Sequence, residues 1–117
     1  MHDVTEGGLA TAVRELGAAG GRRLRVHLDR IPVYAQTARV CSILDIDPLG
    51  VIGSGSLLIT CSAADAGPLA AAVADSGIEI ADIGEVLEPG EGVQAFEGGV
   101  SVEWPRFARD EVSRLNR

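Results

Sequence analysis

Leu57-Leu58-Ile59-Thr60-Cys61 is the stretch that most restricts the folds open to this chain. Its apolar side chains barely alternate with polar ones. Such a run reads as a central strand buried on both faces, which needs cover on two sides. The neighbouring patterns offer that cover. Leu9, Val13 and Leu16 share a helical face after a start near Gly7, which Thr5 or Asp3 can cap, and Gly17 to Gly21 end the segment. Leu24, Val26 and Leu28 alternate with Arg23, Arg25, His27 and Asp29, as in a half-buried strand. After a turn at Ile31-Pro32-Val33, a second helix is predicted from about Tyr34 to Leu44, with Val40, Ile43 and Leu44 inward.

Asp45 to Ser56 reads as a loop. Ser62 caps a third predicted helix over Ala63 to Ser76, and Pro68 places its effective start near Gly67. Ile78 to Val86 reads as a strand with Ile80, Ile83 and Val86 in the core. Gly84 marks a bulge or a close approach there. Val93 to Phe96, a turn at Glu97-Gly98-Gly99, and Val100 to Trp104 make a hairpin, with Trp104 a partly buried lid. The order αβαβαβββα predicts an α/β (α+β) domain, a mixed sheet with helices packed on it. The domain runs over residues 1–105. Residues 106–117 are predicted to be an exposed C-terminal helix of the same domain.

The chain has 117 residues, enough for one core without metals or disulfides. Its net charge of -7 repels a phosphate backbone, which argues against nucleic-acid binding. All ten basic residues are arginine, so Schiff-base and P-loop lysine chemistry are excluded. Cys41 and Cys61 lack zinc-type spacing, and His2 and His27 are not placed to complete such a site. Two buried thiols in a reducing cytoplasm are expected. No signal peptide is present, and no apolar run reaches a membrane span.

Two segments carry candidate chemistry. In Asp3-Val4-Thr5-Glu6-Gly7-Gly8-Leu9, carboxylates and a hydroxyl precede a double glycine at a helix start. Free N–H groups there attract phosphate, glycine admits close approach, and a carboxylate suits Mg²⁺ bound to phosphates. A plain helix cap with a Gly-Gly turn fits the same residues. Gly53-Ser54-Gly55-Ser56 could cradle an anion with backbone amides, or be a flexible connector. His2 beside Asp3 could be a general base, but a terminus normally frays. His27 reads as a surface histidine. Arg22, Arg23 and Arg25 could meet phosphate or line a solvated strand edge. No nucleophile triad is arguable, and no catalytic residue is assigned.

Taken together, His2 to Ala10, then Gly53-Ser54-Gly55-Ser56-Leu57-Leu58-Ile59-Thr60, then Ile83-Gly84-Glu85-Val86, resemble the C-terminal domain of the aminoimidazole ribonucleotide synthetase superfamily. The resemblance covers about residues 2 to 104 and is nearest to the synthetase-related and hydrogenase-maturation carbamoyl-dehydratase branches. It implies a partly ferredoxin-like fold. It implies ATP-dependent activation of an oxygen or acyl group by phosphorylation, in a cytoplasmic enzyme that is usually dimeric. ATP and Mg²⁺ would bind the complete enzyme, whose N-terminal nucleotide-binding domain is absent from this sequence. By motif match Asp3 would contact Mg²⁺. Thr5, Gly7 and Gly8 would line the phosphate side, and Gly53, Ser54, Gly55 and Ser56 would face the cleft. The expectation is a chain inactive alone, with neither ligand tightly bound. The alternative is a stand-alone module that binds a small anion or self-associates without catalysis.

Overall fold

The computed structural model describes residues 1–51, 53 and 55–115. In chain order these form β1 (His2–Asp3), α1 (Gly8–Gly20), β2 (Arg22–His27), α2 (Ala35–Leu44), β3 (Leu57–Leu58), α3 (Ala63–Asp75), β4 (Gly84–Pro89), β5 (Val93–Glu97) and β6 (Val100–Val102). Short 3₁₀ turns occupy Leu28–Arg30, Pro48–Gly50 and Glu111–Leu115. A four-stranded mixed sheet has the order β4-β2-β5-β6. β2 is antiparallel to β4 and parallel to β5, and β5 is antiparallel to β6. The architecture is the α/β class that the sequence predicts.

The core lies between α1 and this sheet. Ala10 and Val13 of α1 meet Leu24 and Val26 of β2, Ala95 of β5, and Trp104. The alternation in β2 holds for Leu24 and Val26, which point inward while Arg23 and Arg25 stay half-buried; Leu28, expected to continue it, lies past the strand in the Leu28–Arg30 turn. Small residues on α1 let the helix lie close to the sheet. Gly21 closes α1 in a left-handed conformation, its N–H bonding back into the last turn. The Glu97–Val100 pairing closes the predicted hairpin.

Four features differ from the sequence reading. First, the Leu57–Cys61 run is not a central strand. Only Leu57 and Leu58 are extended, they pair with His2 and Asp3, and Cys61 is exposed. The reason is that both edges of β2 are taken, by β4 and β5, which leaves no central slot. Second, α2 packs chiefly on the Pro48–Gly50 turn and on no strand to the same extent among the described residues, so it buries Cys41 alone. Val40, Ile43 and Leu44 face outward.

Third, the strand predicted from Ile78 begins only at Gly84 and runs on to Pro89. β4 is an edge strand, where a proline breaks no ladder. α3 in turn spans Pro68 from a start at Ala63, and no α3 residue is buried. Fourth, the described part of the segment after Trp104, residues 105–115, is not a free exposed α-helix but carries only the Glu111–Leu115 3₁₀ turn. It crosses back over the start of α1, with Asp110 and Glu111 each only 6% exposed. The hydrogen bonds below account for that path.

Candidate functional site

The two sequence motifs meet at one edge of the domain. Antiparallel pairing sets His2 opposite Leu58 and Asp3 opposite Leu57. The Val4 N–H donates to the Ser56 carbonyl at 3.2 Å, and a β carbon on Gly53 would lie 2.8 Å from Val4 Cγ1. The opening segment and the Gly/Ser loop thus form one continuous rim. Ser54, predicted to face the cleft, lies outside the described residues. Gly55 and Ser56 are exposed on the rim, as are Asp3 and Thr5.

Gly7 and Gly8 are both buried, and both have positive φ, 84° and 67°. A β carbon on Gly8 would lie 2.7 Å from Val51 N and O, and would strike the Leu49 carbonyl. The second glycine of the motif therefore admits the protein's own backbone at Leu49–Val51. The Gly8 N–H donates to the Thr5 carbonyl at 3.0 Å. The Gly7 N–H donates 2.9 Å to Asp110 Oδ2, in a buried contact. A carboxylate thus already sits where the sequence reading expects a phosphate oxygen. Helix starts favour anions through orphan N–H groups and the macrodipole, and Asp110 is the anion here.

Asp110 also accepts from the Val112 N–H at 2.9 Å, and it has no ion pair among the described residues. Its neighbour Glu111 accepts from the Asp47 N–H at 3.0 Å and is gripped by Arg114 Nη1 at 3.0 Å from both carboxylate oxygens. Burial pushes the Glu111 carboxyl up, but the Asp47 N–H and Arg114 outweigh it and hold the group below the usual glutamate range. Arg14 fixes the near end of the segment by donating 2.8 Å to the Trp104 carbonyl. Burial, with Arg106 nearby, lowers the pKa of Arg14. Sequence reasoning missed Arg14, Asp110 and Glu111, because nothing local marks contacts across 64 to 103 positions.

The remaining candidates separate. His2 donates through Nε2 to Glu15 at 2.8 Å, which ties the chain's first residues to α1. His27 is half-buried, stacks on Phe96 with ring centroids 5.9 Å apart, and lies 3.9 Å from Glu85 Oε1 through its Nε2. Arg23 pairs with Glu88 at 2.8 Å and Arg25 with Glu85 at 3.6 Å, so the basic cluster braces β2 against β4. No group of three or more His, Cys, Asp and Glu side chains suited to a metal occurs among the described residues. Mg²⁺ needs only one or two protein carboxylates when phosphates complete its shell, so the exposed Asp3 is compatible with a shared site. No helix of the described residues is long and apolar enough to cross a membrane.

Residues 1–95 match the family described as AIR synthase related protein, C-terminal domain. The chain belongs to this family. Among curated relatives, the carbamoyl dehydratase HypE of Cupriavidus necator is 40% identical over 92 residues, which is 77% of this chain and 26% of that protein. The carbamoyl dehydratase HypE of Bradyrhizobium diazoefficiens is 34% identical over 110 residues, 89% of this chain and 32% of that protein. The crystal structure of E. coli HypE, a hydrogenase maturation protein, superposes with a TM-score of 0.76 at 31% identity, covering 91% of this chain and 35% of that one. The chain thus spans about a quarter to a third of the length of these relatives. The family match includes the whole rim, from His2 through Ser56.

Proposed function

We propose that this chain is the C-terminal domain of an ATP-dependent maturation enzyme of the carbamoyl dehydratase type. It would close over a nucleotide-binding domain and present the His2–Gly8 and Gly53–Ser56 rim to the nucleotide. The observation that carries this reading is the β1–β3 pairing, which unites two separate sequence motifs into one edge. The names and extents of the relatives support it.

In this reading Asp3 is a Mg²⁺ ligand, exposed because its co-ligands come from the phosphates and the other domain. Thr5, Gly7 and Gly8 lie on the phosphate side, with Gly53, Ser54, Gly55 and Ser56 facing the cleft. ATP, when bound, supplies a phosphoryl group that turns a poor oxygen leaving group into a good one. This chain contributes the rim, its backbone N–H groups and one carboxylate. It is proposed to be inactive alone, to work in the cytoplasm, and to belong to a homodimer when complete.

Calorimetry tests the reading. The chain alone should bind Mg-ATP weakly. Adding the remaining portion of the Cupriavidus necator relative should restore binding, and Asp3→Ala should reduce the restored affinity. Tight Mg-ATP binding and turnover by the chain alone would overturn it.

A second reading has its own observation. Val40, Ile43 and Leu44 form an exposed apolar face on α2, with Ile43 74% exposed, and Tyr34 at the start of the helix is exposed too. Such faces commonly mark association surfaces. Self-association through α2 without catalysis would show as a dimer in sedimentation that Ile43→Glu dissolves.

A further inference from the structure

We propose that residues 105–115 form a strap, and that its Asp110 carboxylate competes with phosphate groups for the start of α1. The inference rests on the reading that this helix start faces the phosphates. It is carried by a separate observation: the chain's own anion is buried on the Gly7 N–H at 2.9 Å.

Three features make the contact a reversible stopper. The carboxylate is satisfied by the Gly7 and Val112 N–H groups, with no cation against it among the described residues. A phosphate oxygen accepts from the same N–H in the same way, so exchange at Gly7 leaves no donor unpaired. Second, Asp110 and Glu111 are adjacent buried carboxylates, and Arg114 grips only Glu111. Their repulsion favours releasing one of them.

Third, the strap is hinged. Its near end is fixed by Trp104, whose indole is in the core and donates 3.0 Å to the Ala10 carbonyl, and by Arg14 on the Trp104 and Pro105 carbonyls. Beyond Pro105 the strap touches the domain mainly through Phe107 at Gly50, Asp110 at Gly7, and Glu111 at Asp47. Phe107 packs against the core cluster, so the part that can leave while the core stays closed is the stretch beyond it, Ala108 to Leu115.

The consequence is quantitative. A site blocked nine-tenths of the time by its own strap loses about tenfold in apparent affinity. Asp110→Asn keeps the size and one acceptor oxygen but removes the charge. The probe is inorganic tripolyphosphate, titrated at constant ionic strength into the chain and into Asp110→Asn. Binding is followed by calorimetry, and strap release by the rate of tryptic cleavage after Arg114. The variant should bind about tenfold tighter. In the unsubstituted chain, cleavage should rise in step with occupancy.

Equal affinities in the two chains would overturn the strap while leaving the phosphate-facing reading intact. Occupancy without faster cleavage would do the same. Binding to neither chain would also overturn it, since removing the carboxylate would then free no anion position. The reconstitution with the nucleotide-binding portion judges the underlying reading independently. Far-UV circular dichroism and Trp104 fluorescence confirm that the variant remains folded.

Discussion

The Trp104 indole N–H donates 3.0 Å to the Ala10 carbonyl, joining the second residue past the last strand to the first turn of α1. Trp104 is 3% exposed and belongs to the core. Its ring fills space that the small residues of α1 leave open, and its polar atom finds a buried acceptor, as a buried indole requires. Trp104→Ala should cost about 3–5 kcal/mol, mostly from the cavity. Trp104→Phe should cost about 1–2 kcal/mol, since the ring is kept and the hydrogen bond is lost. Urea unfolding followed by circular dichroism measures both. A loss below 1 kcal/mol for Trp104→Ala would mean that the ring is not a core element.

Two glycines separate backbone strain from crowding. Gly8 and Gly55 both have positive φ, 67° and 91°. Around Gly55 a β carbon would meet nothing within 4 Å, whereas at Gly8 it would lie 2.7 Å from Val51 N and O. Gly55→Ala should therefore cost only the left-handed penalty of about 1–2 kcal/mol. Gly8→Ala adds a collision with backbone that no rotamer can relieve, so its cost should exceed that by at least about 1 kcal/mol. Denaturant unfolding of the two variants decides; equal losses would show that Leu49–Val51 can yield.

These residues also show what was legible in the sequence. The limits of α1 could be read because helical period and terminal glycines are local signals. The inward face of β2 could be read from strict alternation, and the β5–β6 hairpin from Gly98-Gly99. The Leu57–Cys61 run misled because strand order is non-local. Its composition suits a central strand, but β5 pairs in parallel with β2 and takes that place. The rim was legible as two motifs, though not as one edge, because β1–β3 pairing joins residues 55 or so positions apart. Asp110 left no trace at all. Its partner is 103 positions away, and an acidic residue in a polar tail looks like solvent-facing charge.

The cysteines should differ sharply in reactivity. Cys61 is exposed and Cys41 is the buried residue of α2. Burial pushes the Cys41 thiol up, and the nearby Asp47 and Glu111 carboxylates push it further. The thiolate is the reactive form, so Cys41 is shielded by both access and ionisation. Iodoacetamide at about pH 8 should label Cys61 in the native chain, and Cys41 only after unfolding in urea. Peptide mass spectrometry reads the sites. Labelling of Cys41 at the same native rate would contradict the packing of α2 on the Pro48–Gly50 turn.

Glu111 ties stability to pH. Burial works to raise its carboxyl, but the Asp47 N–H and Arg114 prevail, and the folded pKa lies below the unfolded one. A group depressed in this sense stabilises the fold fully above its unfolded pKa, near 4.3 for glutamate. That contribution fades as pH falls through the lower, folded value. Glu111→Gln keeps an acceptor for the Asp47 N–H but removes the charge that Arg114 holds. At neutral pH the variant should be less stable by about 1.5–3 kcal/mol, the range for hydrogen bonds to a charged group. The gap should narrow once the pH drops below about 4.3, because the unfolded chain's glutamate then takes up a proton and the folded one follows at its lower value. Urea unfolding of both chains in steps between neutral pH and about pH 3 measures the difference. A gap that stays constant across that window would show that the Glu111 charge does not hold the strap's end in place.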